Sequence, residues 1–212
     1  METTSAALRE QHIVRDLDRL LALYGEAMGA SIAKEADHIS PHYRRFIEGA
    51  PFFALATAGA GGMDCSPRGD APGFVRVADE KTLLIPDRRG NNRIDSLRNI
   101  IEQPGVALLF LIPGVGETIR VNGRASISVD PELLASFIHD DKLPRCVIAV
   151  AVEKVYFQCS RAVLRSRLWD QAVQVERKSL PSNGQILAQL TENRFDGEKY
   201  DRELPGRINQ LY

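Results

Sequence analysis

The chain is short of the residues that build metal centres and covalent cross-links. Its three cysteines, Cys65, Cys146 and Cys159, are an odd number with no CxxC pair. They read as reduced thiols rather than as a disulfide framework. Four histidines, His12, His38, His42 and His139, are scattered without HExxH spacing, so no metal site is expected. No apolar run reaches the ~20 residues that a membrane-spanning helix needs. An excess of one charge is missing too: 27 Lys and Arg face 28 Asp and Glu, for a net charge of -1. That balance argues against general nucleic-acid binding, which calls for a strong basic surplus. Absent as well are the phosphate loop GxxxxGK[ST], a GxGxxG between strand and helix, and a GxSxG nucleophile elbow. The opening METTSAALREQHIVRDLDRLL is too charged for a signal peptide. The expectation is a cytoplasmic protein without membrane association.

What is present suits a globule. The 212 residues are 44% hydrophobic and 26% charged, enough to bury a core without staples. The reading is a single domain over 1–212, with a helical segment at 1–48, a barrel at 50–170 and an extension at 171–212. Leu8, Val14, Leu17, Leu20, Leu21 and Tyr24 recur at helical spacing, which predicts an amphipathic helix over 6–29. Ser40 and Pro41 suit the cap and first position of a second helix, through Glu48. Strands are expected over Phe52–Ala58, Met63–Pro67, Gly73–Val77, Thr82–Pro86, Val106–Ile112, Thr118–Val129 and Cys146–Phe157. The turn Gly59-Ala60-Gly61-Gly62 joins the first two as a hairpin, since no helical pattern follows it. In Thr118–Val129 the apolar residues Ile119, Val121, Gly123, Ala125, Ile127 and Val129 alternate with Arg120, Asn122, Arg124, Ser126 and Ser128. Among the strands sits one helical stretch, Arg93–Glu102, with Ile94, Leu97 and Ile101 on one face. Asp130 caps a short helix through Phe137. Later, Ala162–Trp169 reads as a helical turn, Ser182–Thr191 as a weak helix and Asn193–Tyr212 as a polar tail, either extended or interface-bound. Six or seven consecutive antiparallel strands commonly close into a barrel, so the fold class is α+β with one inserted helix.

Chemistry concentrates in Ser66–Arg93, SPRGDAPGFVRVADEKTLLIPDRRGNNR. Arg88, Arg89 and Arg93 surround Gly90-Asn91-Asn92, and a helix start follows. Free N–H groups at a helix N-terminus and forked guanidinium groups both favour a small anion such as phosphate. A solvated basic turn is the competing reading. Upstream, Pro67 and Gly69 suggest a sharp turn that projects Arg68, with a surface Arg68–Asp70 pair as the alternative. Asp140-Asp141 reads as a solvated face, and no side chain stands out as a general acid or base.

SPRGD, GFVRV, LLIPDRRGNNR, LLFLIPG, IRVNGRA and VYFQCSRAVLRSRLW, in this order, resemble the pyridoxamine 5'-phosphate oxidase-related FMN-binding proteins over about residues 40–170. The resemblance implies a split β-barrel, a homodimer, and FMN at the dimer interface. It implies that Arg76, Asn92 and Arg93 hold the phosphate with Arg88 as a helper. Pro86 and Asp87 pass the flavin ring with backbone, and Ser66 and Arg68 lie near the isoalloxazine. Thr118, Arg165, Ser166 and Trp169 then reach the cofactor from the partner chain, although Trp169 also suits a core or interface anchor. For the Arg120/Asn122/Arg124 face a solvated role is expected, and for Cys65 a buried inert thiol. The implied activity is an FMN-dependent oxidoreductase moving electrons between a small-molecule donor and an acceptor. A non-catalytic flavin sensor or stress protein, or a split barrel for heme or a deazaflavin, stays open. The tail ELPGRINQLY carries no Arg-x-His substrate element of the true oxidases, so the resemblance speaks to the cofactor and leaves the substrate unassigned.

Overall fold

A computed structural model describes residues 9–27 and 29–208. The chain divides into two compact units, one running up to Glu35 and one from Ala36 onward. In the first unit the expected long helix is broken. Helix α1 spans Leu17–Tyr24, with the Asp16 carboxylate accepting from the Arg19 N–H at 2.8 Å. It stops at Gly25, whose φ of 68° ends the helical path. A short α2, Gly29–Ala33, follows. Val14 precedes α1, and Leu8 lies outside the described residues.

The second unit opens with α3, Pro41–Gly49, capped by Ser40 with Pro41 in its first turn. Seven strands follow: β1 Phe52–Gly59, β2 Gly62–Gly69, β3 Arg76–Asp79, β4 Thr82–Asp87, β5 Gly105–Leu111, β6 Thr118–Ser128 and β7 Cys146–Gln158. Helix α4, Asp95–Glu102, is inserted after β4, and α5, Pro131–Ala135, after β6. Asp130 caps α5, accepting from Glu132 and Leu133 N–H groups. All pairings are antiparallel, in the order β2-β1-β5-β6-β7-β4-β3. The sheet curls round one core, leaving a barrel split between its edge strands β2 and β3.

That core is set by alternation. Phe53 and Leu55 of β1, Leu83 and Ile85 of β4, Leu108 and Phe110 of β5, Ile119 and Val121 of β6, and Ile148 and Val150 of β7 are all essentially buried. Ile47 from α3 and Ile100 from α4 cover the cluster. On β6 the predicted face holds through Ala125, while Val129 falls beyond the strand and is exposed. A bulge between Asn122 and Gly123 shifts the pairing with β7. Gly123 is required there, because a Cβ would sit 2.2 Å from the Ala151 carbonyl oxygen.

Four local expectations change. β2 runs on past its expected end at Pro67 through Arg68 and Gly69 instead of turning there, with Pro67 opposite Ala54 and Gly69 opposite Phe52. β2 is an edge strand, where a proline's missing N–H breaks no ladder. Helix α4 begins at Asp95, after Ile94 at a φ of 53°. It buries Ser96, Asn99 and Ile100, whereas Ile94 and Ile101 are exposed. Cys65 is exposed, not buried, because it sits on the outward row of an edge strand. After α6, Arg161–Ser166, and α7, Asn183–Leu190, which fall on the expected helical stretches, the tail is helical as well, as α8, Gly197–Ile208. Spaced ion pairs Lys199–Glu203, Glu198–Arg202 and Glu203–Arg207 support α8, and Asn209–Tyr212 lie outside the described residues.

Candidate functional site

One end of the barrel interior is polar, and the strand registers explain why. Residues directly opposite in an antiparallel pair share a face. In β1–β2, Thr57 faces Asp64, Leu55 faces Ser66 and Phe53 faces Arg68. The inward row of β2 is therefore Asp64, Ser66 and Arg68, where β1 supplies core residues. In β4 the row Leu83, Ile85 ends on Asp87. Both rows converge where α4 starts.

A cavity of about 290 Å³ opens there. Pro67, Arg68 and Gly69 of β2, Phe74, and Pro86 and Asp87 of β4 form one side. The loop Arg88–Asn92, Ile94, Leu97 of α4 and Arg145 form the other. Of the residues singled out from sequence, Arg68, Pro86, Asp87, Arg88 and Asn92 are thus brought together.

Arg68 is held on several sides. Its guanidinium donates to the Pro67 carbonyl at 3.0 Å and to the Ser96 hydroxyl at 3.4 Å, and lies 3.8 Å from the Asp87 carboxylate. Its Nε is buried without a hydrogen-bond partner. A buried N–H left unpaired carries a desolvation cost, so this donor is available to a ligand. Ser96 in turn donates to Asp64 at 2.5 Å, and Ser66 donates to the same oxygen at 2.8 Å. Ser66 is therefore tied to Asp64 within the strand.

The two inward carboxylates differ in electrostatics. Asp64 lies below the ordinary aspartate value, chiefly because Ser96 donates to it; burial opposes the shift, while Ser66 and nearby Arg68 assist it. Asp87 lies above that value because burial dominates, with Arg68 and Arg145 opposing. Beside it the buried Cys146 thiol is pushed up to about 11 by burial and by Asp87. Shifted groups lining a cleft are a physical marker of a functional site.

Arg88 is anchored, 3.3 Å from the buried Asp70 carboxylate and donating to the Phe137 carbonyl at 2.9 Å. Asn92 has a φ of 60° and accepts from Arg145 Nη1 at 3.0 Å. Sequence reasoning did not single out Arg145. Asp87 pairs with Cys146, and the Arg145 N–H donates to the Asp87 carbonyl at 3.1 Å. Only that pairing brings Arg145 to the cavity, and no local motif announces it.

The remaining candidates lie elsewhere. Arg93 lines a separate cleft with Asp64, Asp95 and Arg98. Its exposed side chain donates to Asp95 at 2.8 Å, which raises its pKa. Arg76 donates to the Ser136 hydroxyl at 3.0 Å and to its carbonyl at 2.9 Å, and stacks over the Phe137 ring at 4.1 Å. Thr118 opens β6 opposite Gln158. Arg165 is exposed on α6, and Ser166 donates to the Val163 carbonyl. Trp169 Nε1 donates to the Val115 carbonyl at 2.7 Å. Among the described residues, no cluster of three or more His, Cys, Asp or Glu side chains forms a metal cage. Among them too, no helix is long and apolar enough to cross a membrane.

A family model described as pyridoxamine 5'-phosphate oxidase matches residues 39–159. Among solved structures, HupZ from Group A Streptococcus is 20% identical, with 57% of this chain and 95% of that chain covered and a TM-score of 0.47. General stress protein 26 from Bacillus anthracis is 18% identical, with 53% of this chain and 87% of that chain covered and a TM-score of 0.41. An FMN-binding protein from Syntrophomonas wolfei is 14% identical, with 54% and 82% covered and a TM-score of 0.42. No curated protein matches the chain.

Proposed function

We propose, because the chain belongs to the pyridoxamine 5'-phosphate oxidase family over residues 39–159, that it is an FMN-dependent oxidoreductase acting in the cytoplasm on a small molecule. The observation that carries this reading is the unpartnered, buried Arg68 Nε beside the polar cavity. A ring acceptor satisfies that donor, and the guanidinium favours the negative charge that gathers on a reduced flavin. FMN supplies reversible two-electron chemistry when bound. Arg145 and Asn92 hold the phosphate, Arg93 joins them only by leaving Asp95, and Arg88 fixes the loop through Asp70. Pro86 and Asp87 pass the ring along the β4 edge, with Ser66 behind Arg68. Arg76 reaches the phosphate only by leaving Ser136 and Phe137.

A homodimer completes the site in this reading. Thr118, Arg165, Ser166 and Trp169 come from the partner chain and exclude water from the flavin. The outward face of β2, β1, β5 and β6 supports such pairing. Pro67, Ala54, Leu109 and Arg120 align across it in register. Phe52 and Met63 are exposed. Asn122 Oδ1 is buried there without a partner, an acceptor that a second subunit can satisfy.

The test is to add FMN to the purified full-length protein and follow the flavin spectrum, then NAD(P)H turnover with an acceptor. Yellow protein with saturable FMN uptake and turnover is expected. A colourless protein that ignores FMN overturns the cofactor, and FMN uptake without turnover for any donor overturns the oxidoreductase. Light scattering is expected to give a dimer; a monomer that still binds FMN tightly overturns the shared site.

A further inference from the structure

Asp87 stands in a core-facing row. Leu83 and Ile85 precede it on the same face of β4 and are fully buried. Its own side chain is 17% exposed, at the wall of the cavity. Among the described residues no hydrogen-bond donor reaches its carboxylate, and the Arg68 guanidinium is 3.8 Å away. Asp64, by contrast, accepts from two hydroxyls. The cavity otherwise carries Arg68, Arg88, Arg89 and Arg145, so among the described residues Asp87 is the sole anion in its lining.

The groups facing Asp87 are few. From β2 comes Arg68, and from the approach to β7 come Arg145 and the buried Cys146. Arg88, next in the chain, is turned to Asp70 and the Phe137 carbonyl, and Arg89 stands exposed at the rim. Arginines keep their charge across the working pH range, and the Cys146 thiol, pushed up to about 11, stays neutral. Asp87 is therefore the group facing the cavity whose charge can change.

We propose that the cavity binds its anionic ligand together with a proton, and that Asp87 is the residue that takes up the proton. This rests on the FMN reading and adds a rule for its regulation. A phosphate-bearing ligand brings negative charge and displaces water near a poorly solvated carboxylate. Both effects favour the neutral acid. A solvent proton then adds to the carboxylate, and Arg68 loses its counter-charge and is released to the ligand. Linkage gives the sign: where the bound state holds more protons, affinity falls as pH rises.

The experiment is calorimetric titration of FMN into the full-length protein, in buffers of different ionisation enthalpy, across a pH series. Wild type is expected to take up to about one more proton per FMN than Asp87→Asn. The variant, which resembles the neutral acid, keeps tight binding at high pH. The difference removes proton exchange by the FMN phosphate itself, common to both proteins. Equal proton uptake with intact FMN binding overturns this inference and leaves the FMN reading standing. No binding by either protein at any pH overturns both. A second readout needs no variant. Infrared difference spectra of wild type on FMN addition should gain a protonated-carboxyl band, and its absence overturns the proposal.

Discussion

The barrel interior has two regions of opposite chemistry built on the same strands. In its body, Phe53, Leu55, Leu108, Phe110, Val121 and Val150 exclude water. At its mouth the same inward rows carry Asp64, Ser66, Arg68 and Asp87. Burial of apolar side chains stabilises the fold, whereas partly buried polar groups cost stability unless fully paired. Arg68 Nε and the Asp87 carboxylate are not fully paired. The difference teaches that the body carries stability and the mouth carries binding, and the two should separate experimentally.

The largest effect expected is in the body. Phe110, 5.0 Å from the Phe53 ring and buried, should cost about 3–5 kcal/mol when truncated to alanine. Urea unfolding measures this, and the folded fraction should keep its ligand affinity. Next comes Arg68→Ala, expected to lower FMN affinity by about 10- to 100-fold, the worth of hydrogen bonds to a charged group. It should shift the urea midpoint far less than Phe110→Ala does; the reverse order would break the comparison.

A smaller effect separates the two mouth carboxylates through pH. Asp64 lies below its ordinary value when folded. Its contribution is present above that ordinary value, 3.8, and is lost as pH falls through the folded value. Asp87 lies above 3.8 when folded, so stability is greatest below 3.8 and declines as pH rises through the raised value. Ser96→Ala, which removes the main donor to Asp64, should lower stability above 3.8 and flatten the loss on acidification. Asp87→Asn should flatten the decline that sets in as pH rises above 3.8. Urea midpoints over a pH series read both. The smallest effect is expected for Arg93→Ala. Its exposed pair with Asp95 contributes little to folding, and any loss of FMN affinity should exceed the loss for riboflavin.

Much of the body was legible because alternation has a period of two and β6 shows it over Ile119–Ala125. The Ser40–Pro41 helix start was legible because capping chemistry is local. Arg145 was not, since only the pairing of β4 with β7, with Asp87 opposite Cys146, brings the preceding Arg145 to the cavity. Nor was the continuation of β2 beyond Pro67 through Arg68 and Gly69, because a proline is admissible in a strand only at a sheet edge and edge position is a tertiary property. The inward face of α4 misled for a similar reason. Ser96 and Asn99 are buried through hydrogen bonds to Asp64 and Thr57, which an apolar periodicity cannot show.

FMN binding by the wild-type full-length protein, followed through quenching of flavin fluorescence and repeated with Arg145→Ala, tests the central claim most directly. A mouth built to hold a flavin phosphate predicts saturable quenching with one flavin per chain, weakened in the variant for FMN and barely changed for riboflavin. Unquenched FMN in the presence of folded wild-type protein would contradict it.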